Sequence, residues 1–168
     1  MTALLLVRHG ETIDNARQIM QGQTPGQLNE VGIAQAQQLR DELASQLIDV
    51  FMASDLYRAV QTATIVAEPH HLEVLTTPLL RERDWGGFTG RFIPELKNEV
   101  WPDDIETLDH MMERAKEFLD MVRRQYAGKT VLAVGHGIMN KAIQAVYHHK
   151  PMNEIPRMAN AEVRRLEL

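Results

Sequence analysis

Two stretches of the chain are apolar without a break, Leu4-Leu5-Leu6-Val7 and Val131-Leu132-Ala133-Val134. Each ends abruptly in polar residues and glycine: Arg8-His9-Gly10 after the first, Gly135-His136-Gly137 after the second. Short all-apolar runs bounded by turn residues are the pattern of strands buried on both faces of a sheet. Ile48–Ala53, apolar around a single Asp49, predicts a further strand, and Leu72–Thr76 another. Val163, Leu166 and Leu168 stand among charged neighbours, so Ala161–Leu168 reads as a half-exposed edge strand.

Between these runs the period changes. Val31, Ala34, Ala36, Leu39, Leu43 and Leu47 recur at helical spacing and predict a helix from about Glu30 to Gln46, with Asn29 as its N-cap. Gly32 near its start marks a place of close packing. Ser54 and Asp55 are positioned to cap a second helix, from about Leu56 to Ala67, stopped by Pro69. Ile105, Leu108, Met112, Ala115, Leu119, Val122 and Tyr126 form the clearest stripe in the chain, with Pro102 and two aspartates at its start and Gly128 past its end. A last helix runs from about Ile138 to His149 and is closed by Pro151.

Strands alternating with helices predict an α/β fold: a three-layer sandwich with a mostly parallel central sheet, helices on both faces and right-handed crossovers. The length of 168 residues suits a single domain, 1–168. Two segments fit no period. Gly10–Leu28 is broken by Gly22, Pro25 and Gly26, and Pro78–Trp101 is dense in charge and glycine around Arg81-Glu82-Arg83-Asp84-Trp85-Gly86-Gly87. Loops of that length in a compact domain are usually functional.

Charge and composition narrow the functional classes. A formal net charge of -5 argues against broad nucleic-acid or anionic-membrane binding. The absence of cysteine excludes disulfides, thiolate catalysis and Cys-based metal sites. No apolar run reaches the ~20 residues of a membrane helix, and no leader pattern precedes the first strand. The expectation is a cytoplasmic enzyme or binding protein.

The candidate chemistry sits where strands give way to helices. One junction delivers Arg8 and His9; the next Ser54, Asp55 and, a turn later, Arg58; the third His136 between two glycines. In a parallel sheet these junctions share the carboxyl edge, where α/β proteins bind ligands. Two arginines and two histidines would then face one small volume. Such a cluster is unfavourable until an anion fills it, and the guanidinium fork matches phosphate oxygens. The start of the helix after Gly137 could add backbone N–H donors. A neutral histidine can attack phosphorus, and Glu82 is the best placed acid to return a proton to the leaving oxygen. His70, His71, His110, His148 and His149 read as surface residues. A metal on His148, His149 and His136 would lack a carboxylate at ligand spacing.

Arg8-His9-Gly10-Glu11-Thr12, Ser54-Asp55-Leu56-Tyr57-Arg58-Ala59-Val60-Gln61-Thr62-Ala63, Leu80-Arg81-Glu82-Arg83-Asp84-Trp85-Gly86 and Val134-Gly135-His136-Gly137 together resemble, in order, four motifs of the histidine phosphatase superfamily, the phosphoglycerate mutase-like family. The resemblance implies that His9 is the phosphorylated nucleophile and Glu82 the proton donor. It implies phosphate contacts from Arg8, Asn15, Arg58 and His136. It also brings Gln21 and Gly22 to the substrate border and Arg83 and Trp85 to the substrate side of the pocket. It implies no metal.

Two segments depart from the family pattern. Thr24-Pro25-Gly26-Gln27-Leu28 lacks the usual aspartate, and Thr89 stands where many phosphatase relatives have glutamate. The run Glu82-Arg83-Asp84-Trp85-Gly86 leans toward the mutases. Between Gly90 and Trp101, however, the chain lacks the basic and proline-rich insertions by which mutases hold a phosphoglycerate carboxylate and shut out water. The expected activity is therefore hydrolysis of a small phosphate monoester without a cofactor. A mutase primed by 2,3-bisphosphoglycerate is the alternative, and a phospho-ligand binding module without turnover a more distant one. The expected partner is a small phosphorylated metabolite, the expected assembly a monomer or homodimer. The whole reading requires the rings of His9 and His136 to meet and both to open toward solvent.

Overall fold

The computed structural model describes residues Met1–Leu168. In chain order it contains β1 (Ala3–Arg8), α1 (Ile13–Arg17), α2 (Glu30–Leu43), β2 (Val50–Ser54), α3 (Tyr57–Ala67), β3 (Val74–Thr77), α4 (Leu108–Gln125), β4 (Thr130–Gly135), α5 (Gly137–His148) and β5 (Val163–Glu167). The five strands form one sheet in the order β3-β2-β4-β1-β5. Only β5 is antiparallel, paired along the outer side of β1. This is the expected α/β sandwich.

Strand periodicity divides the core in two. Leu4, Leu6, Val131 and Ala133 point to one face, where Met111, Ala115, Phe118, Leu119 and Val122 of α4 and Met139 and Ile143 of α5 cover them. Leu5, Val7, Leu132 and Val134 point to the other, against Leu39 of α2 and Ala59, Ala63 and Val66 of α3. Because both faces are buried, β1 is apolar from Ala3 to Val7 and β4 from Val131 to Val134. Leu166 is the buried residue of β5 and Glu167 beside it is exposed, as an edge strand requires.

The structure moves several predicted boundaries. α2 ends at Leu43 and β2 starts at Val50; Leu47 is exposed in the loop between them. The buried side of α2 is Gly32, Ala36 and Leu39, so Val31 and Ala34 lie outside it. β3 is Val74–Thr77, two residues later at its start than predicted. α4 starts at Leu108, where the Thr107 side chain accepts from the His110 N–H; Pro102 and its aspartates lie in the preceding loop. Ile105 instead packs against the small cluster of Trp85, Phe88 and Leu96. Asn29 does cap α2, its side chain accepting from the Gly32 N–H. Ser54 and Asp55 do not cap α3, whose N-cap is Leu56. Ser54 Oγ accepts from the Leu56 N–H at 3.2 Å, and Asp55 takes both of its bonds from Arg81 at 2.7 Å. α1 was not predicted. It is a single short helix held by a reciprocal cap between Thr12 and Asn15, too brief to show a period.

Gly32 is a point of close contact, as its position suggested. A Cβ on Gly10 would lie 2.6 Å from the Gly32 carbonyl oxygen, and a Cβ on Gly32 would overlap the Glu11 backbone. The loop after β1 therefore crosses the start of α2 at backbone distance. Gly32→Ala is expected to lower unfolding free energy by about 1–3 kcal/mol through this overlap, despite a helix-propensity gain of roughly 1 kcal/mol. Urea denaturation of the two proteins measures the difference.

Candidate active site

The parallel register of β1 on β4 pairs Val7 with Val134 and Arg8 with Gly135. One more step along the ladder, the His9 N–H donates to the Gly135 carbonyl at 3.2 Å. His9 and His136 therefore leave the sheet side by side. Their ring centroids are 5.1 Å apart, with the planes inclined at 63°. The Asn140 amide, on the first turns of α5, donates to the Val7 carbonyl at 3.0 Å and ties the helix to β1.

His9 Nδ1 lies 2.7 Å from the Gly10 carbonyl. A carbonyl only accepts, so Nδ1 carries the hydrogen and Nε2 keeps its lone pair. His9 is 3% exposed and His136 fully buried. Burial is the main influence holding His9 down to about 3, with Arg58 and then Arg8 adding to it against the opposing Gly10 bond. His136 is held well below the usual histidine range by burial, then Arg58, His9 and Arg8. Both rings are neutral at pH 7.

Two guanidinium groups flank them. Arg8 Nη1 donates to the Met158 carbonyl at 2.8 Å. Arg58 Nη2 donates to the Gly22 carbonyl at 2.8 Å and its Nη1 to the Thr24 carbonyl. The Arg58 N–H also donates to the Pro25 carbonyl at 3.0 Å. The Thr24–Leu28 segment, where the sequence departs from the family pattern, is thus part of the clasp that orients Arg58. Gly26 is required there: it has φ +71°, and a Cβ would come within 2.8 Å of Arg58 Cδ. Burial lowers Arg58 to about 10, still charged at neutral pH, and lowers Arg8 as well. Arg8 Nε, Arg58 Nε and both ring nitrogens of His136 are buried without a hydrogen-bond partner. Such orphaned polar atoms are costly, and their convergence marks a place prepared for a polar ligand.

Glu82 meets this group from the loop after β3. Its Oε1 accepts from the Arg83 N–H at 2.9 Å and the Met139 N–H at 3.0 Å; its Oε2 accepts from the Ile138 N–H at 3.2 Å. The expectation that these α5 amides face an anionic ligand is corrected: Glu82 already occupies them, an acidic group on a helix N-terminus. The loop is clasped from behind. Arg114 of α4 donates to the Leu79 and Arg81 carbonyls at 3.0 and 2.9 Å and makes a two-pronged pair with Glu106 at 2.8 Å. Glu106 Oε1 accepts from the Asp84 N–H at 3.0 Å.

The cavity above His9 has a volume of about 310 Å³. Of the residues expected at the site, Arg8, His9, Asn15, Gln21, Gly22, Arg58, Glu82, Trp85 and Gly137 line it. Asn15 Oδ1 accepts from the Thr12 N–H, which fixes the side chain. Gln21 Oε1 accepts from the Thr12 hydroxyl at 3.0 Å. A Cβ on Gly137 would sit 3.4 Å from Arg8 Cζ, so the small residue lets the guanidinium lie against the helix start. His136 is a correction: its ring meets that of His9 but is fully buried behind the cavity wall and does not itself open to solvent.

Arg83 is a correction: it does not reach the cavity. Its guanidinium carbon lies 4.7 Å from the Trp85 ring and 5.3 Å from the Trp101 ring, and its Nε donates to the Glu106 carbonyl at 2.8 Å. It braces the loop from inside. His70 is half-buried against Phe51, not a free surface residue. His148 and His149 lie at the far end of α5 from His136, ~18 Å away along the helix, so they cannot share a metal with it.

Sequence reasoning missed Ile19, Met20, Ile93, Ile138, Lys141 and Arg157, which also line the cavity. Lys141 stands four residues after Gly137 on one helix, a spacing that places both on the same face. That signal was available. Arg157 and Ile93 lie in segments without a period.

The model of the histidine phosphatase superfamily (branch 1) matches residues 4–168. The chain is 34% identical over 172 residues to the uncharacterized phosphatase PhoE of Bacillus subtilis, covering 99% of this chain and 89% of that one. It is 34% identical over 152 residues to the probable phosphoglycerate mutase GpmB of Yersinia pestis, covering 82% of this chain and 71% of that one. In fold it is similar to a mycobacterial glucosyl-3-phosphoglycerate phosphatase solved with VO3: TM-score 0.90, 24% identity, 98% of this chain and 92% of that one.

The two neutral rings make stability depend on pH. Unfolded histidine titrates near 6.5 and His9 in the fold only near 3, so the unfolded chain binds more protons between those values. The stabilisation is complete above pH 6.5 and is lost as pH falls from there. Urea unfolding at pH 7, 6 and 5 is expected to show a loss approaching about 1.4 kcal/mol per pH unit for each such histidine. In His9→Gln the slope should fall by about half.

Proposed function

We propose that this chain, which belongs to the histidine phosphatase superfamily, hydrolyses a small phosphate monoester through a phosphohistidine formed on Nε2 of His9. The observation that carries the reading is the setting of His9: Nδ1–H committed to the Gly10 carbonyl, with the His136 ring 5.1 Å away and Arg8 and Arg58 alongside. The bond at Nδ1 selects the nucleophilic atom. Burial and the neighbouring cations keep it unprotonated.

The phosphoryl oxygens take the N–H groups of Arg8 and Arg58 that have no partner in the protein, with Asn15 beside them and the His136 ring behind His9. As Nε2 bonds to phosphorus, the ester P–O bond breaks and the alkoxide leaves. Glu82 returns a proton to it. Oε1 already accepts two N–H bonds and Oε2 one, so Oε2 has room for the proton. Water then attacks the phosphohistidine, Glu82 takes its proton, and phosphate leaves neutral His9 behind. No step calls for a metal or a cofactor.

Mutase activity is the second reading, supported by the likeness to GpmB and by the Glu82–Gly86 run. Incubation with 3-phosphoglycerate and a trace of 2,3-bisphosphoglycerate separates the two: free phosphate supports hydrolysis, 2-phosphoglycerate supports isomerisation.

His9→Ala is expected to reduce phosphatase turnover at least ~10³-fold while the protein stays folded. Wild-type enzyme quenched during turnover should carry acid-labile, base-stable phosphate on His9. Near-normal activity in His9→Ala sinks the proposal. For Glu82→Gln, kcat on an alkyl phosphate is expected to fall roughly 10²–10⁴-fold, the usual range for general acid catalysis. The fall on an aryl phosphate, whose leaving group needs less help from a proton, should be much smaller. Equal losses on both would remove Glu82 from this role.

A further inference from the structure

Four cations line the cavity against a single carboxylate. Arg40, Arg81, Arg91, Arg114, Arg164 and Arg165 all pair with carboxylates. On the cavity wall Arg8, Arg58, Lys141 and Arg157 face one carboxylate, Glu82, and none of these cations forms an ion pair with any residue. Arg8 and Arg58 at least donate to main-chain carbonyls. The side chains of Lys141 and Arg157 make no hydrogen bond at all. This occurs in a chain of net charge -5, where carboxylates are abundant.

The two lie on the same side of the site. Lys141 is one helical turn past Gly137, against whose backbone Arg8 packs. Arg157 precedes Met158, whose carbonyl holds Arg8. Arg157 and Arg8 line the same cavity, and after burial the Arg157 charge is the next influence lowering the Arg8 pKa. A phosphoryl dianion meets two of the four wall charges and Glu82 at most one more, so at least one is left unmet. The cavity also has room beyond the phosphoryl group: its 310 Å³ corresponds to the share of about ten liquid waters.

We propose that Lys141 and Arg157 form a second anion subsite, which selects phosphate monoesters whose alcohol portion carries a further anionic group, a carboxylate or a second phosphate. This rests on the hydrolytic reading for its assay, though not for its geometry. The ester oxygen lies toward Glu82, and the remote anion sits between the ammonium of Lys141 and the guanidinium of Arg157. Both side chains are specificity-determining residues and take no part in the bond changes at phosphorus.

The test compares matched esters. One arm sets 3-phosphoglycerate against glycerol 1-phosphate, which has an alcohol in place of the carboxylate. The other sets propane-1,3-diol bisphosphate against the monophosphate. In at least one arm the anion-bearing ester is expected to have the higher kcat/KM by about tenfold or more, the effect of one charge-assisted hydrogen bond. The arm that shows it identifies the anion. Lys141→Met and Arg157→Met should each reduce that ratio about tenfold, chiefly through KM, while Lys141→Arg retains it. Lys116→Met, an exposed charge on α4, should leave the ratio as it is. A wild-type ratio near one in both arms overturns the subsite, and so does a ratio that neither Met variant alters. If no ester is hydrolysed, the phosphatase reading fails, and calorimetric dissociation constants for the same pairs and variants decide the subsite by the same ratios.

Discussion

The in-register parallel pairing of β1 with β4 is the constraint from which the site follows. Residues 8 and 135 are partners in the ladder, so each strand reaches the sheet edge at the same level and turns into its own loop there. A slip of two residues, the smallest that preserves which face each side chain occupies, would separate the two histidines by about 6–7 Å along the strand. The two-sided core prevents it. Leu4, Leu6, Val131 and Ala133 interlock with α4 and α5, Leu5, Val7, Leu132 and Val134 with α2 and α3. Apolar packing on both faces thus fixes the distance between two polar rings beyond the end of the sheet.

Bringing those groups together is electrostatically unfavourable in the absence of an anion. Buried guanidinium groups lose hydration, and neutral histidines beside them cannot become charged to gain it back. The fold holds the arrangement with main-chain carbonyls in place of carboxylates: Met158 for Arg8, Gly22 and Thr24 for Arg58. Carbonyl dipoles orient a cation without neutralising it, so its charge stays available to a ligand. Arg114, which braces the loop from outside the cavity, instead meets the Glu106 carboxylate. Arg8 and Arg58 are thus oriented by dipoles, whereas Arg114 is oriented by a carboxylate.

The two aperiodic loops act as holders. One clasps Arg58 through its carbonyls, and Gly26 permits the approach. The other carries Glu82 to the start of α5 and is fixed by Arg114, Glu106 and the Arg83–Trp85 stack. A carboxyl on an irregular segment gains its precision from these long-range bonds, since no helix or strand supplies it.

By itself the sequence determined the alternating strand and helix pattern, the two central strands, and the junctions bearing His9, Arg58 and His136. Each of these is written in contiguous residues, where an apolar run, a turn and a polar side chain appear together. Tertiary structure alone decided that Glu82 caps α5, that Arg83 turns inward to two tryptophans, and that Arg157 joins the cavity wall. Those outcomes depend on groups from segments dozens of residues apart finding each other's unpaired amides, rings and charges. Local periodicity carries no record of such pairings, because they are fixed only when the sheet has set the distances between its loops.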